Sequence, residues 1–187
     1  HPEASAVAIG NLGHLPIARG LNRTLRGDFG LNIFNSRALL FWQGQELASA
    51  TVSFELRWQQ VRDLRKYLPC EAIIYGRLPL MLMENCVMKN RTGICACQTG
   101  TVRLVDRVGE EFPIVKDPGT CRNVLLNGKK LYLLDKPEMR RCGLTYGRLR
   151  FTTETPEQCV QVLQRYQNGG NWTPEDLTRG LFYRGVE

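Results

Sequence analysis

Apolar and polar positions alternate in a repeating order through the first part of the chain. Short β-branched runs recur at "AVAIGN" (6–11), "LNIFN" (31–35), "SATVSFE" (49–55) and "EAIIYG" (71–76), each spaced to leave room for one helix. That spacing predicts the βαβ rhythm of a parallel sheet. Two of the intervening segments have helical character. "SRALLFWQG" carries Ser36 as a cap and Gly44 as a stop. "LRWQQVRDLRKYL" places Val61, Leu64 and Leu68 at i, i+3 and i+7 before Pro69 closes it.

After Tyr75 the rhythm lapses. "TVRLVDRVGEEFPIV" reads as two alternating strands about a turn, and Asn127-Gly128 within "RNVLLNGKKLYLL" is a type I′ hairpin signal. This stretch is expected to be a small antiparallel insertion. The rhythm resumes with "YGRLRFTTE" as a strand, after which Thr155, Pro156 and Glu157 open a helix, "PEQCVQVLQRYQ", that Gly169 stops. The expected organisation is therefore barrel βα units over 1–84, a Cys-rich loop and β-insertion over 85–143, and a final strand, helix and tail over 144–187.

Five βα strands are too few to close an eight-stranded barrel and would leave an apolar sheet edge open. The expected fold class is thus α/β: the later part of a (β/α) TIM-barrel-like domain whose first strands are missing or belong to another segment. A small antiparallel β-insertion carrying a cysteine cluster interrupts it. An open doubly wound sheet is the competing arrangement.

Composition narrows the function classes. At 187 residues, 43% hydrophobic and 23% charged, the chain has the balance of an ordinary globular protein. Its longest apolar runs, such as "RLPLMLM", are far short of the about 18 residues a membrane helix needs. "HPEASAVAIG" lacks the basic and apolar regions of a secretory leader. With seven cysteines, an odd number, the expectation is free thiols in a reducing cytoplasm. The N-x-[ST] matches at Asn22, Asn90 and Asn171 then carry no meaning. The net charge of +7 is compatible with an anionic partner such as RNA, although the basic residues are dispersed as on a solvated surface.

The cysteines divide into two sets. Cys70, Cys142 and Cys159 lie apart; Cys159 is on the side of the last helix that carries Leu163 and Tyr166, and Cys70 follows Pro69 at a strand entry, and buried inert thiols are expected at these two. Cys86, Cys95, Cys97 and Cys121 fall in polar, Gly-containing loops, where a purely hydrophobic role for a thiol is hard to maintain. Four thiolates suit Zn²⁺ or a [4Fe–4S] cluster equally, and the spacing matches neither a zinc ribbon nor a ferredoxin run. A catalytic thiol would want a base nearby, and the two histidines, His1 and His14, are remote in sequence.

In a barrel the working residues project from the C-terminal strand ends. That rule selects Asn11 and His14, Asn35, Glu55, Arg77 and Glu154 as candidate pocket residues. Asn35 and Glu55 would contact a polar substrate, and Arg77 would clamp a phosphate or carboxylate. The structural alternatives are a helix cap for Asn35 and a first-turn dipole partner for Glu55.

The segments "DFGLNIFNS", "VSFEL", "IIYGRLPLMLMENC", "LVDRVGEEFPI", "CRNVLLN" and "LTRGLFYRGVE" together resemble the peptidase U32 family, the collagenase-like proteases, in the C-terminal part of its conserved region. The resemblance implies a barrel-like domain of which this chain lacks the first strands. It also implies an iron–sulfur cluster on Cys86, Cys95, Cys97 and Cys121, with Cys95 and Cys97 lying where relatives carry one or two cysteines. Some relatives serve hydroxylation of RNA or of a quinone precursor rather than proteolysis. No Ser-His-Asp order, H-E-x-x-H or G-x-S-x-G is present in this sequence.

Three functions follow as expectations. The first is a cluster-dependent, RNA-modifying (hydroxylation) protein of the cytoplasm whose cluster is lost in air. The second is a genuine peptidase acting on proteins such as collagen. The third is a structural zinc lobe. The expected partners are the remainder of the barrel or another domain, RNA, and a second copy of the chain through the open sheet edge, with no membrane.

Overall fold

A computed structural model describes residues 3–94, 102–117 and 120–184. In chain order the strands are β1 (Ala6–Ile9), β2 (Thr24–Gly27), β3 (Ser49–Thr51), β4 (Cys70–Gly76), β5 (Pro79–Met83), β6 (Val102–Val105), β7 (Glu111–Lys116), β8 (Asn123–Leu126), β9 (Lys130–Tyr132), β10 (Tyr146–Arg150) and β11 (Leu177–Thr178). The helices are α1 (Leu15–Arg19), α2 (Ser36–Gly44), α3 (Trp58–Asp63), α4 (Val87–Thr92), α5 (Pro137–Arg141) and α6 (Pro156–Asn168). The fold is mixed α/β, with a sheet rich in parallel pairs and a small antiparallel sheet. The chain divides into two compact units, one of His1–Ile74, Leu133–Leu149 and Arg179–Glu187, the other of Tyr75–Tyr132 and Arg150–Thr178.

In the first unit β1, β2, β3 and β4 pair in that order and all in parallel. Strand β10 also lies beside β4. Thr145 donates to the Cys70 carbonyl at 2.9 Å and Gly147 packs against Ile74, so β10 advances in β4's direction. The core is made by Ile9, Ile33, Leu39, Ala50, Val52 and Cys70, all at most 1% exposed. Burial of this kind contributes about 25 cal/mol per Å² of apolar surface and is what holds such short strands together.

The second strand is not where the pattern placed it. Residues 31–35 contribute one bridge, Ile33 parallel to Val52, because Asn32 adopts a left-handed φ of 48° and breaks the extended run. The strand is "TLRG", where Leu25 and Gly27 are buried and Thr24 and Arg26 are exposed. Helix α3 is also shorter than expected. Leu64 turns extended, and the Lys66 ammonium takes the carbonyls of Val61, Arg62 and Leu64 at 2.7, 3.2 and 3.2 Å, ending the helix before Leu68. Helix α2 starts as read, but its cap is Asn35; Ser36 instead accepts from the Arg65 amide at 2.9 Å.

In the second unit β5, β8, β7 and β6 form the antiparallel sheet in that order. The β6–β7 pair is the expected hairpin. Asn127-Gly128 does not form one: β8 pairs with β5 and β7, whereas β9 pairs antiparallel with the end of β4 and parallel with β11. Neither Asn127 nor Gly128 takes the left-handed φ that a type I′ turn needs at both central positions, and the Arg77 guanidinium binds the carbonyls of Asn127 (3.0 Å) and Gly128. Helix α6 matches its sequence signals, with a reciprocal cap between Thr155 and Gln158 and Gly169 at φ 75° as its stop. Its buried residue is Val162; Leu163 is 41% exposed and Cys159 half-buried.

Candidate functional site

The candidate pocket residues separate by unit. In the first, the His14 ring accepts from the Gly10 amide at 3.2 Å and shares a 2.9 Å hydrogen bond with the Asn11 side chain. The two therefore brace one 3-10 turn, Leu12–His14. Asn35 Oδ1 accepts from the Ala38 amide at 2.9 Å and caps α2. The Glu55 amide donates to Ser53 Oγ at 3.3 Å, and its half-buried carboxylate has no partner among the described residues.

The second unit brings Arg77 and Glu154 together. Arg77 directly follows β4, and its Nε donates to Thr153 Oγ1 at 3.2 Å while Nη1 holds the 127–128 turn. Glu154 lies in the loop before α6 with no side-chain exposure. Its Oε2 accepts from the amides of Thr152 (2.8 Å) and Thr153 (3.1 Å), and its Oε1 faces the Tyr75 hydroxyl (3.3 Å) and Lys130 Nζ (3.5 Å). Burial works to raise the Glu154 carboxyl, but the Thr152 amide, the Lys130 charge and the Thr153 amide outweigh it and hold the group below its ordinary value. Burial and then the Glu154 charge push the Tyr75 phenol well up, so Tyr75 is a neutral donor.

These residues border a cleft. One cavity of about 300 Å³ is lined by Tyr75, Arg77, Lys130, Gln158 and Trp172 together with the 173–176 loop. A second, of about 500 Å³, shares Arg77, Lys130, Gln158 and Asp176 and extends to the β6–β7 turn at Gly109–Glu111. Tyr75, Tyr132, Phe151, Tyr166 and Trp172 pack edge-on or tilted with ring centroids 5.7 to 6.4 Å apart, which fixes one wall. Lys130 and Gln158 were not legible as site residues. Lys130 sits in what reads as a hairpin, and Gln158 reads as an ordinary first-turn helix residue.

The cysteines also sort by environment. Cys70 and Cys142 are buried, and burial raises both thiols above their ordinary value. Cys86 is half-buried at the start of α4, where its sulfur accepts from the Lys89 amide, and Cys121 is exposed. The β5–β8 register pairs Met83 with Asn123 and Leu82 with Val124. Carried two positions on, that register sets Asn85 opposite Cys121, one residue from Cys86. Two contacts hold the approach: Val87 N donates to Asn123 Oδ1 at 3.0 Å, and Arg122 lies 3.8 Å from Glu84. Cys95 and Cys97 lie outside the described residues. Among the described residues no three His, Cys, Asp or Glu side chains gather as metal ligands. No helix among them is long and apolar enough to cross a membrane.

No protein-family model, curated protein or solved structure matches the chain.

Proposed function

We propose that this chain is a U32-like, partial (β/α) barrel of the cytoplasm that carries a thiolate-held metal centre and serves RNA modification by hydroxylation. The observation that carries the reading is the β5–β8 register, which leads the Cys86 and Cys121 segments out of adjacent strands side by side. The donor set suits the group: both thiols are accessible, whereas the apolar-packed cysteines of the first unit are not. Cys86 and Cys121 would supply two thiolates, and Cys95 and Cys97 the other two of a four-coordinate site. When bound, a [4Fe–4S] cluster supplies one-electron chemistry and a zinc ion supplies rigidity.

The barrel component of the proposal is supported by strand order. β1 to β4 add one after another on the same side, as in a singly wound barrel; a doubly wound sheet reverses direction at its centre. Among the described residues strand β1 has β2 as its one partner, so its other edge is where further barrel strands, or a second copy, would pair. The net charge of +7 supports a polyanionic substrate.

Iron, acid-labile sulfide and zinc analysis of protein prepared without oxygen tests this reading. Iron with sulfide supports the cluster; about one zinc and no iron selects the structural lobe instead. A metal-free anaerobic sample that cleaves gelatin, with cleavage unaffected by Cys86→Ser, selects the peptidase.

A further inference from the structure

The cleft in the second unit has a chemistry of its own that does not depend on the cysteines. Part of its lining is rich in unused donors. The Lys130 ammonium has Glu154 as its one partner among the described residues, and at 3.5 Å that contact lies beyond the usual N–H···O range. Gln158 accepts from the Thr155 amide at its Oε1 at 3.0 Å, and its Nε2 has no acceptor among the described residues. Arg77 commits Nε and Nη1 to the protein, leaving Nη2 open among the described residues.

Another part of the lining is rich in unused acceptors. Glu175 and Asp176 are exposed, and neither carboxylate has a hydrogen bond or ion pair among the described residues. The backbone nevertheless holds the two halves together, since the Lys130 amide donates to the Asp176 carbonyl at 3.1 Å. A lysine and an aspartate tied at the main chain thus line one cleft, with the lysine turned to Glu154 and no ion pair between the two among the described residues.

This lining discriminates between ligand classes. A plain anion would meet Glu175 and Asp176, and a plain cation would meet Lys130 and Arg77, each an unfavourable like-charge contact. An uncharged apolar ligand would desolvate polar groups without replacing their hydrogen bonds. A small zwitterion satisfies both sets, and about 300 Å³ lies at the low end of small-molecule sites. We propose that the cleft binds a free α-amino acid, its carboxylate held by Lys130, Gln158 and Arg77 and its ammonium facing Glu175 and Asp176. The rings of Tyr75 and Trp172 flank the bound molecule, and the adjoining cavity of about 500 Å³ takes its side chain.

Calorimetric titration of the full chain with each of the twenty common L-amino acids tests this, followed by the amide and the N-acetyl derivative of the best binder. At least one amino acid should saturate the protein, and each derivative should bind about tenfold more weakly or worse, equivalent to about 1.4 kcal/mol. Lys130→Met should abolish binding. Because that change strands the buried Glu154, the exposed Asp176→Asn is the second variant, expected to keep the parental melting temperature and weaken the amino acid about tenfold while leaving the N-acetyl derivative unaffected. No saturation by any amino acid, an amide that binds as tightly as its parent, or a dipeptide that binds more tightly than either of its amino acids would overturn the assignment. The protein for this measurement is prepared in air without metal, so a negative result leaves the cysteine reading standing on its own test.

Discussion

Glu154 and Lys130 stand 3.5 Å apart, the carboxylate wholly inaccessible and accepting two backbone amides, the ammonium half-buried at the cleft. The fold therefore stabilises the charged form of Glu154, and its folded pKa lies below the ordinary 4.5. A depressed carboxyl contributes stability that is complete above about pH 4.5 and is lost as pH falls through the lower folded value. Denaturant unfolding at a series of pH values should show that loss, and Glu154→Gln should flatten it. At pH 7 the variant should be less stable by about 1 kcal/mol, because the half-buried Lys130 loses its counter-charge and the Thr152 and Thr153 amides lose a charged acceptor. An acid limb unchanged in Glu154→Gln would contradict this assignment.

Gly76 is held at φ +114° with the Arg150 carbonyl where a Cβ would stand. Gly76→Ala combines a left-handed backbone penalty with a backbone clash that no rotamer relieves. It should cost at least about 3 kcal/mol or prevent folding. A melting temperature equal to the parent's would show that β4 and β10 tolerate separation there.

Asn35 stands at the rim chosen for candidate pocket residues, yet its side chain is engaged as the α2 cap. Asn35→Ala should lower stability by about 1 kcal/mol, and Asn35→Ser or Asp should restore it. Ligand binding measured at a temperature where the variant is folded should not change. Loss of binding in the Ser variant would return Asn35 to the functional residues.

Thiol accessibility follows burial. Iodoacetamide applied to the native, metal-free chain should label Cys86 and Cys121 first and reach Cys70 and Cys142 only in denaturant, since those two are at most 1% exposed and burial holds their thiols protonated. Peptide mapping by mass spectrometry reads the order. Early labelling of Cys142 would mean that the Trp58 and Glu138 carbonyls facing its sulfur do not confine it.

Local signals in the sequence were dependable where they were self-contained. The cap, first-turn proline and terminal glycine of α6 act within one segment, and that helix forms as read. The β6–β7 hairpin likewise depends on neighbours in sequence. Failures came where a distant group decided. Asn127-Gly128 lacks the left-handed backbone of a type I′ turn, and its flanking strands pair with β5 and β7 on one side and with β4 and β11 on the other. Strand β2 is hard to read from sequence because half of its four residues are polar and exposed, while "LNIFN", which looks more strand-like, is broken at Asn32. Arg77 and Glu154 could be nominated from their positions after strands. Lys130 could not, because its role arises only when β9 is placed beside β11 and across from the loop bearing Glu154.

The proposed metal centre requires Cys86 and Cys121 together. Metal content and visible absorbance should be compared between the parent chain and Cys86→Ser, Cys121→Ser and Cys159→Ser variants, all prepared without oxygen. Iron with sulfide and a brown colour are expected in the parent and in Cys159→Ser, and loss of both in each of the other two. Equal metal content in all four proteins, or no metal in the anaerobic parent, would contradict it.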